Sequence, residues 1–228
     1  ILSGDLAVNG GDLTTSATTF NLLNSVATTI NFGGAATAIN IGATNSLTQF
    51  NGNIKINQEL YAIANNTAVY YNVANYYGVS NLTGTAIITL PVAWTNTMMS
   101  ITISGYNTSG GSRGHNWTVK ISGYNYSTSP TWLDYSAQIY GYAPFSTVRL
   151  GYDSVAQKCV LLLGVTTTTW YHPRIVVEKV EAHYNSYYNQ LATGWNIALI
   201  TNETNITNIV TPSIDFYMDI SGNIGIGT

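Results

Sequence analysis

Groups able to do acid–base, nucleophilic or metal chemistry are scarce: ten carboxylates, three histidines and one cysteine in 228 residues. Hydrolysis of a glycosidic or ester bond needs two carboxylates converging on it, or a nucleophile beside a base. Candidates for that work are Asp134, Asp153, Glu178, Glu181, Asp215 and Asp219. Glu178 and Glu181 lie closest together, but on a strand an odd separation sends them to opposite faces. The expectation is a solvated edge, or an ion pair with Lys179 or with Arg174 on a neighbouring strand. His115, His172 and His183 stand far apart with no His-x-His, so no transition-metal site is expected. No Asp-rich loop marks a calcium site. No cofactor and no catalysis are expected.

What the chain does offer is aromatic rings beside small polar side chains. Tyr184-Asn185-Ser186-Tyr187-Tyr188-Asn189-Gln190 reads as a loop between two strands. Trp132-Leu133-Asp134-Tyr135 follows a second such segment, Tyr124-Asn125-Tyr126, and Trp170-Tyr171-His172 precedes a strand. A sugar presents apolar C–H faces and a ring of hydroxyls, so a site for it pairs flat rings with amide or carboxylate partners. Tyr184, Asn185, Tyr187 and Tyr188 are the first candidates for glycan contact, and Tyr124, Tyr126 and Trp132 the second. The same residue types also build cores and subunit interfaces.

The elements that must hold these residues are read from composition. Charged residues make up only 7% of the chain, against about 25% in an ordinary soluble domain. Thr, Ser, Asn and Tyr must therefore cover the surface. Seven basic and ten acidic residues give a net charge of −3, which leaves no polybasic face for nucleic acid or an anionic membrane. No apolar run approaches the roughly 18–20 residues needed to cross a bilayer as a helix. Cys159 sits in the apolar run 159–163 and reads as a small buried hydrophobe.

Two regimes follow one another. Up to Asn53 the only charges are Asp5 and Asp12, whereas every tryptophan, histidine and proline lies at or beyond Pro91. The first regime repeats a short unit: Phe20-Asn21-Leu22, Ile30-Asn31-Phe32-Gly33, Ile39-Asn40-Ile41-Gly42 and Phe50-Asn51-Gly52. Apolar and polar residues alternate there with β-branched threonines, as in strands. Strands this short cannot cover their own apolar side, so stacking on identical chains about a three-fold axis is expected. The expected division is a β-shaft over 1–56, a neck over 57–83 and a head over 84–213. A C-terminal exit strand over 214–228 follows. In the neck, 58–64 is compatible with one or two helical turns while 70–73 and 76–78 look like strand, and its secondary structure is left open. In the head, strands are expected at 86–90, 98–104, 118–124, 136–142, 148–152, 159–163, 174–182 and 195–201, with a loop over 124–131. The fold class is all-β, the head a jelly-roll-like β-sandwich.

The repeats within 11–24 and 27–42 resemble the shaft repeats of tailed-bacteriophage tail fibres and related virus-borne spikes. The ending Asp219-Ile220-Ser221-Gly222-Asn223-Ile224-Gly225-Ile226-Gly227-Thr228 is similar to the segment that leads, in such fibres, into a self-cleaving chaperone domain. The resemblance covers about the first quarter and the last few residues and leaves the head unmatched. It implies a parallel homotrimer carried on a virion, outside the cell, whose distal domain binds a host-surface glycan or protein. The chaperone's own catalytic residues would lie beyond Thr228. A capsule depolymerase on the same architecture and a purely structural spacer are the alternatives. The first conflicts with the scarcity of carboxylates, the second with the aromatic loops.

Overall fold

The structure is a computed structural model that describes residues 60–64, 67–108, 115–184, 190–218 and 224–226, with Ser16 and Ile41. The chain divides into two compact units, Ile1–Ile54 and Lys55–Thr228. The shaft expected over 1–56 lies outside the described residues except for those two positions.

The second unit is built from strands. In chain order they are β1 (Leu60–Ala64), β2 (Thr67–Tyr77), β3 (Asn81–Thr83), β4 (Thr85–Thr89), β5 (Met98–Tyr106), β6 (Asn116–Tyr126), β7 (Thr131–Gly141) and β8 (Val148–Asp153). There follow β9 (Lys158–Leu163), β10 (Thr169–Tyr171), β11 (Arg174–His183), β12 (Asn196–Ile200), β13 (Ile206–Val210), β14 (Ile214–Met218) and β15 (Ile224–Ile226). An eight-stranded sheet has the order β1-β2-β11-β5-β6-β7-β14-β15, a five-stranded sheet the order β12-β4-β9-β8-β13, and β3 pairs with β10. Pairing is antiparallel except between β14 and β7.

Period-two alternation explains the packing. On β5, Met99, Ile101 and Ile103 are buried while Ser100, Thr102 and Ser104 lie on the other face. On β6, Trp117, Val119 and Ile121 alternate in the same way with Thr118, Lys120 and Ser122. The apolar rows meet Ile88, Val148, Leu150, Leu161 and Leu163 of the five-stranded sheet in one core. A fully buried side chain of this size contributes roughly 1.5–3 kcal/mol, which offsets roughly 1–2 kcal/mol of backbone entropy per ordered residue. At Gly105 the chain needs the absence of a side chain, because a Cβ there would stand 2.1 Å from Cζ2 of Trp117.

Strand β9 is apolar without alternation because both its faces are covered. Cys159, Leu161 and Leu163 enter the main core, and Val160 and Leu162 enter a second cluster with Ile87 and Ile206. The eight-stranded sheet is different. On β2, β11, β5, β6 and β7 its outward rows are mostly hydroxyls, amides, charged groups and tyrosines, the arrangement of an antiparallel sheet with one open face.

Several expectations need correction. In the neck, which the sequence left open between helical turns and strand, residues 60–64 are strand, because they pair antiparallel with β2 within the large sheet. The strands expected at 118–124 and 136–142 run on to Tyr126 and begin at Thr131, so the loop over 124–131 shrinks to a turn. Glu178 and Glu181 do not lie on opposite faces. Against β5 the register shifts between Val177 and Lys179, so Glu178 is an extra, bulged residue there, while against β2 the extra residue lies on β2, where Asn72 and Val73 oppose Glu178. Inward positions are Val177 and then Val180, which leaves Glu178 exposed and turns Lys179 and Glu181 outward as well. From Ile214 the chain is again strand, β14 pairing parallel with β7 and antiparallel with β15.

Candidate functional site: tyrosines on the open sheet face

The sequence candidates separate once the strands are placed. Tyr124 and Tyr126, two positions apart on β6, project from the same outward face, with ring centroids 5.9 Å apart. Asn125 between them points inward and is fully buried. Its Oδ1 accepts from the Thr97 N–H at 2.7 Å and its Nδ2 donates to the Ala93 carbonyl at 2.8 Å, which pins the β4–β5 connection.

Trp132 is not a contact residue. It is 1% exposed, pairs with inward Asn125, and donates its indole N–H to the Gly151 carbonyl at 3.1 Å. Alternation on β7 forces this, since Trp132 lies at an inward position where its ring packs edge-on against Trp94. Trp170 is likewise buried and donates to the Gly84 carbonyl at 2.8 Å. Asn185, Tyr187 and Tyr188 lie outside the described residues.

Tyr184 is the first residue past β11. His183 pairs with Met98 of β5, and Met98 pairs with Tyr124 of β6. Across that row the Tyr184 ring meets Tyr124 edge-on at 6.2 Å between centroids, so the two sequence candidates converge from different segments. Tyr184 is 67% exposed and has φ 81°, a conformation that bulky residues rarely adopt and that persists where surrounding structure enforces it. Burial against its neighbours, then the nearby Tyr184 and Tyr126 phenols, push the Tyr124 hydroxyl above its ordinary value. It is therefore a neutral O–H donor at any physiological pH.

Beside the rings lies a hollow of about 220 Å³ lined by Met98, Ser122, Tyr124, Asp134 and His183 among others. Asp134 also has a positive φ, 48°, at the point where the β6–β7 register shifts between Ser122 and Tyr124. Two strained non-glycine residues thus border one aromatic cluster. Among the described residues no three His, Cys, Asp or Glu side chains gather as a metal set.

No protein-family model, curated protein or solved structure matches the chain. The site is therefore argued from its geometry.

Farther along the same face, Tyr77 and Tyr106 flank Arg174 in one cross-strand row, and the Arg174 guanidinium lies 3.2 Å above the Tyr77 ring. A hollow of about 460 Å³ opens there. A larger hollow, about 590 Å³, sits at the end of the sandwich around Phe145 and Tyr171. Two of its rings are already engaged with each other, His115 stacking on Tyr142 at 4.3 Å and 17°, so size alone does not make it the better site. Sequence reasoning missed Tyr77, Tyr106 and Arg174. Alternation was the available signal, since Tyr106 continues the outward series Ser100, Thr102, Ser104.

Proposed function

We propose that the chain is the host-attachment part of a virus-borne fibre. In this reading the N-terminal repeats form the β-shaft of a parallel homotrimer, and the jelly-roll-like head binds a host-surface glycan through the open face of its large sheet. The protein belongs to the virion, works outside the cell, and holds its ligand without cleaving it. The observation that carries the reading is the convergence of Tyr124, Tyr126 and Tyr184 on a solvent-facing sheet beside hydroxyl, imidazole and carboxylate groups. Flat rings with polar neighbours suit the alternating apolar and hydroxylated surface of a sugar. Three copies about one axis would multiply weak sites by avidity.

The depolymerase alternative gains one point from the bulge that turns Glu178 and Glu181 to the same side. It loses more from their partners. The Ser104 hydroxyl donates to Glu178, and Lys179, 2.8 Å from Glu181, holds that carboxyl below the usual range. A general acid needs the opposite shift.

The test is binding to host cells and to a printed array of bacterial surface polysaccharides by the Tyr124→Ala, Tyr184→Ala double variant. Loss of binding by about tenfold or more with an unchanged melting temperature is expected. Undiminished binding would move the site elsewhere. Release of oligosaccharides by the unmutated protein, abolished in Glu178→Gln, would replace attachment by depolymerisation.

A further inference from the structure

Midway along the open face, between the tyrosine cluster and the Tyr77–Arg174–Tyr106 row, a hollow of about 220 Å³ is lined by Ser100, Lys120, Ser122, Ser136 and Gln138. Its hydrogen-bonding inventory is one-sided. The Ser100 Oγ is buried and has no partner. Ser122 and Ser136 bond each other at 2.7 Å, so whichever donates, the other hydroxyl keeps its hydrogen. The Tyr140 hydroxyl donates to Gln138 Oε1 at 2.7 Å, which occupies the amide oxygen and leaves its N–H groups to donate. Of the flanking carboxylates, Glu181 is in register with Ser100 and is taken up by Lys179 at 2.8 Å, and Asp134 lines the adjoining hollow by the tyrosines. Two salt bridges occur among the described residues, and Lys120 is in neither. Its ammonium is held by no salt bridge, and its charge reaches Glu181 only as a minor influence behind Lys179.

A pocket that holds several donors, a lysine outside any salt bridge and no carboxylate in its lining is complementary to a small anion. An unpaired buried hydroxyl is itself unfavourable until a ligand satisfies it. Resting on the glycan-binding reading above, we propose that this pocket receives the anionic group of an acidic glycan, the carboxylate of a uronic-type sugar or the phosphate of a polyol-phosphate chain. The tyrosines on either side would then hold the flanking units, so that the chain lies along β5 and β6. Over the face as a whole Arg174, Lys120 and Lys179 are matched by Glu178, Glu181 and Asp134. Discrimination therefore comes from hydrogen bonds inside the pocket, not from long-range steering.

The experiment uses the full chain on an array in which each acidic polysaccharide is printed beside its carboxyl-reduced form, together with poly(glycerol phosphate). The expected result is a preference of about tenfold or more for one acidic class, the worth of a charge-assisted hydrogen bond. Lys120→Gln and Ser100→Ala should each erase that preference while binding to the reduced form and the melting temperature stay put. A preference for uronates identifies the carboxylate as the ligand group; a preference for poly(glycerol phosphate) identifies the phosphate. Equal binding to acidic and reduced forms, still lost in the Tyr124→Ala, Tyr184→Ala variant, overturns the anion pocket and leaves glycan attachment standing. An acidic preference that survives both Lys120→Gln and Ser100→Ala also overturns it. Silence across the array removes the glycan reading and this inference with it.

Discussion

At the scale of single residues, identical side-chain types do opposite work according to which way a strand turns them. Tyr124 and Trp132 belong to adjacent strands of one hairpin, yet the first faces solvent and the second fills the core. Trp132→Ala should destabilise the fold by about 3–5 kcal/mol, the range for large buried aromatics, and it would also orphan the Gly151 carbonyl. Chemical denaturation measures this, and a change below about 1 kcal/mol would place Trp132 outside the core. Cys159 follows the same logic. Burial pushes its thiol up to about 12, the Asn125 amide pulling weakly the other way, and the Sγ–H donates to the Ala93 carbonyl at 3.3 Å. Its protonated, enclosed sulfur is a packing group, as its place in an apolar run indicated.

Whole elements depend on a few ties of this kind. The connection from β12 to β13 crosses the outer side of the five-stranded sheet, where Ile206 closes over Ile87, Val160 and Leu162. Glu203 anchors it. Arg149 grips that carboxylate with both terminal nitrogens, at 2.6 and 2.8 Å, and also donates to the Gly164 carbonyl. Thr85 adds a hydroxyl donor. The Arg149 contact holds Glu203 below the ordinary glutamate range, against the opposing effect of burial and with help from Thr85. A carboxyl whose value is lower folded than unfolded adds stability above its unfolded value of about 4.5, and that stability drains away as pH falls through the folded value. Glu203→Gln should therefore lose on the order of 2–3 kcal/mol at pH 7, because Arg149 is left without its counter-ion. Its stability should also decline less steeply than the parent's on acidification below about pH 4.5. Parallel acid limbs in the two proteins, followed by circular dichroism, would refute the role given to this pair.

For the molecule as a whole the open question is what the N-terminal repeats pack against. In the fibre reading proposed above their apolar positions are covered by identical chains, so that reading predicts a trimer that does not dissociate at micromolar concentration. Sedimentation equilibrium decides it, and a compact monomer would be fatal to the fibre reading. The head makes no such demand, since its two sheets already enclose a core between them.

Period and composition were enough to read the all-β class, the placement of most strands, the burial of Cys159 and the polar, uncharged surface. These follow from side chains alternating along a strand, which is a local property of the chain. Three things lay beyond that reach. The bulge at Glu178 reversed the facing of everything after it, and its cause is the register with β2 and β5, not the residues of β11 themselves. Trp132 and Tyr124 were grouped together because sequence proximity does not say which row of a hairpin faces the second sheet. The Tyr184–Tyr124 contact and the donor pocket around Lys120 join strands β11, β5, β6 and β7, separated by long stretches of chain. Only the order of strands in the sheet brings such residues together, and that order is set by how the two apolar faces cover one another.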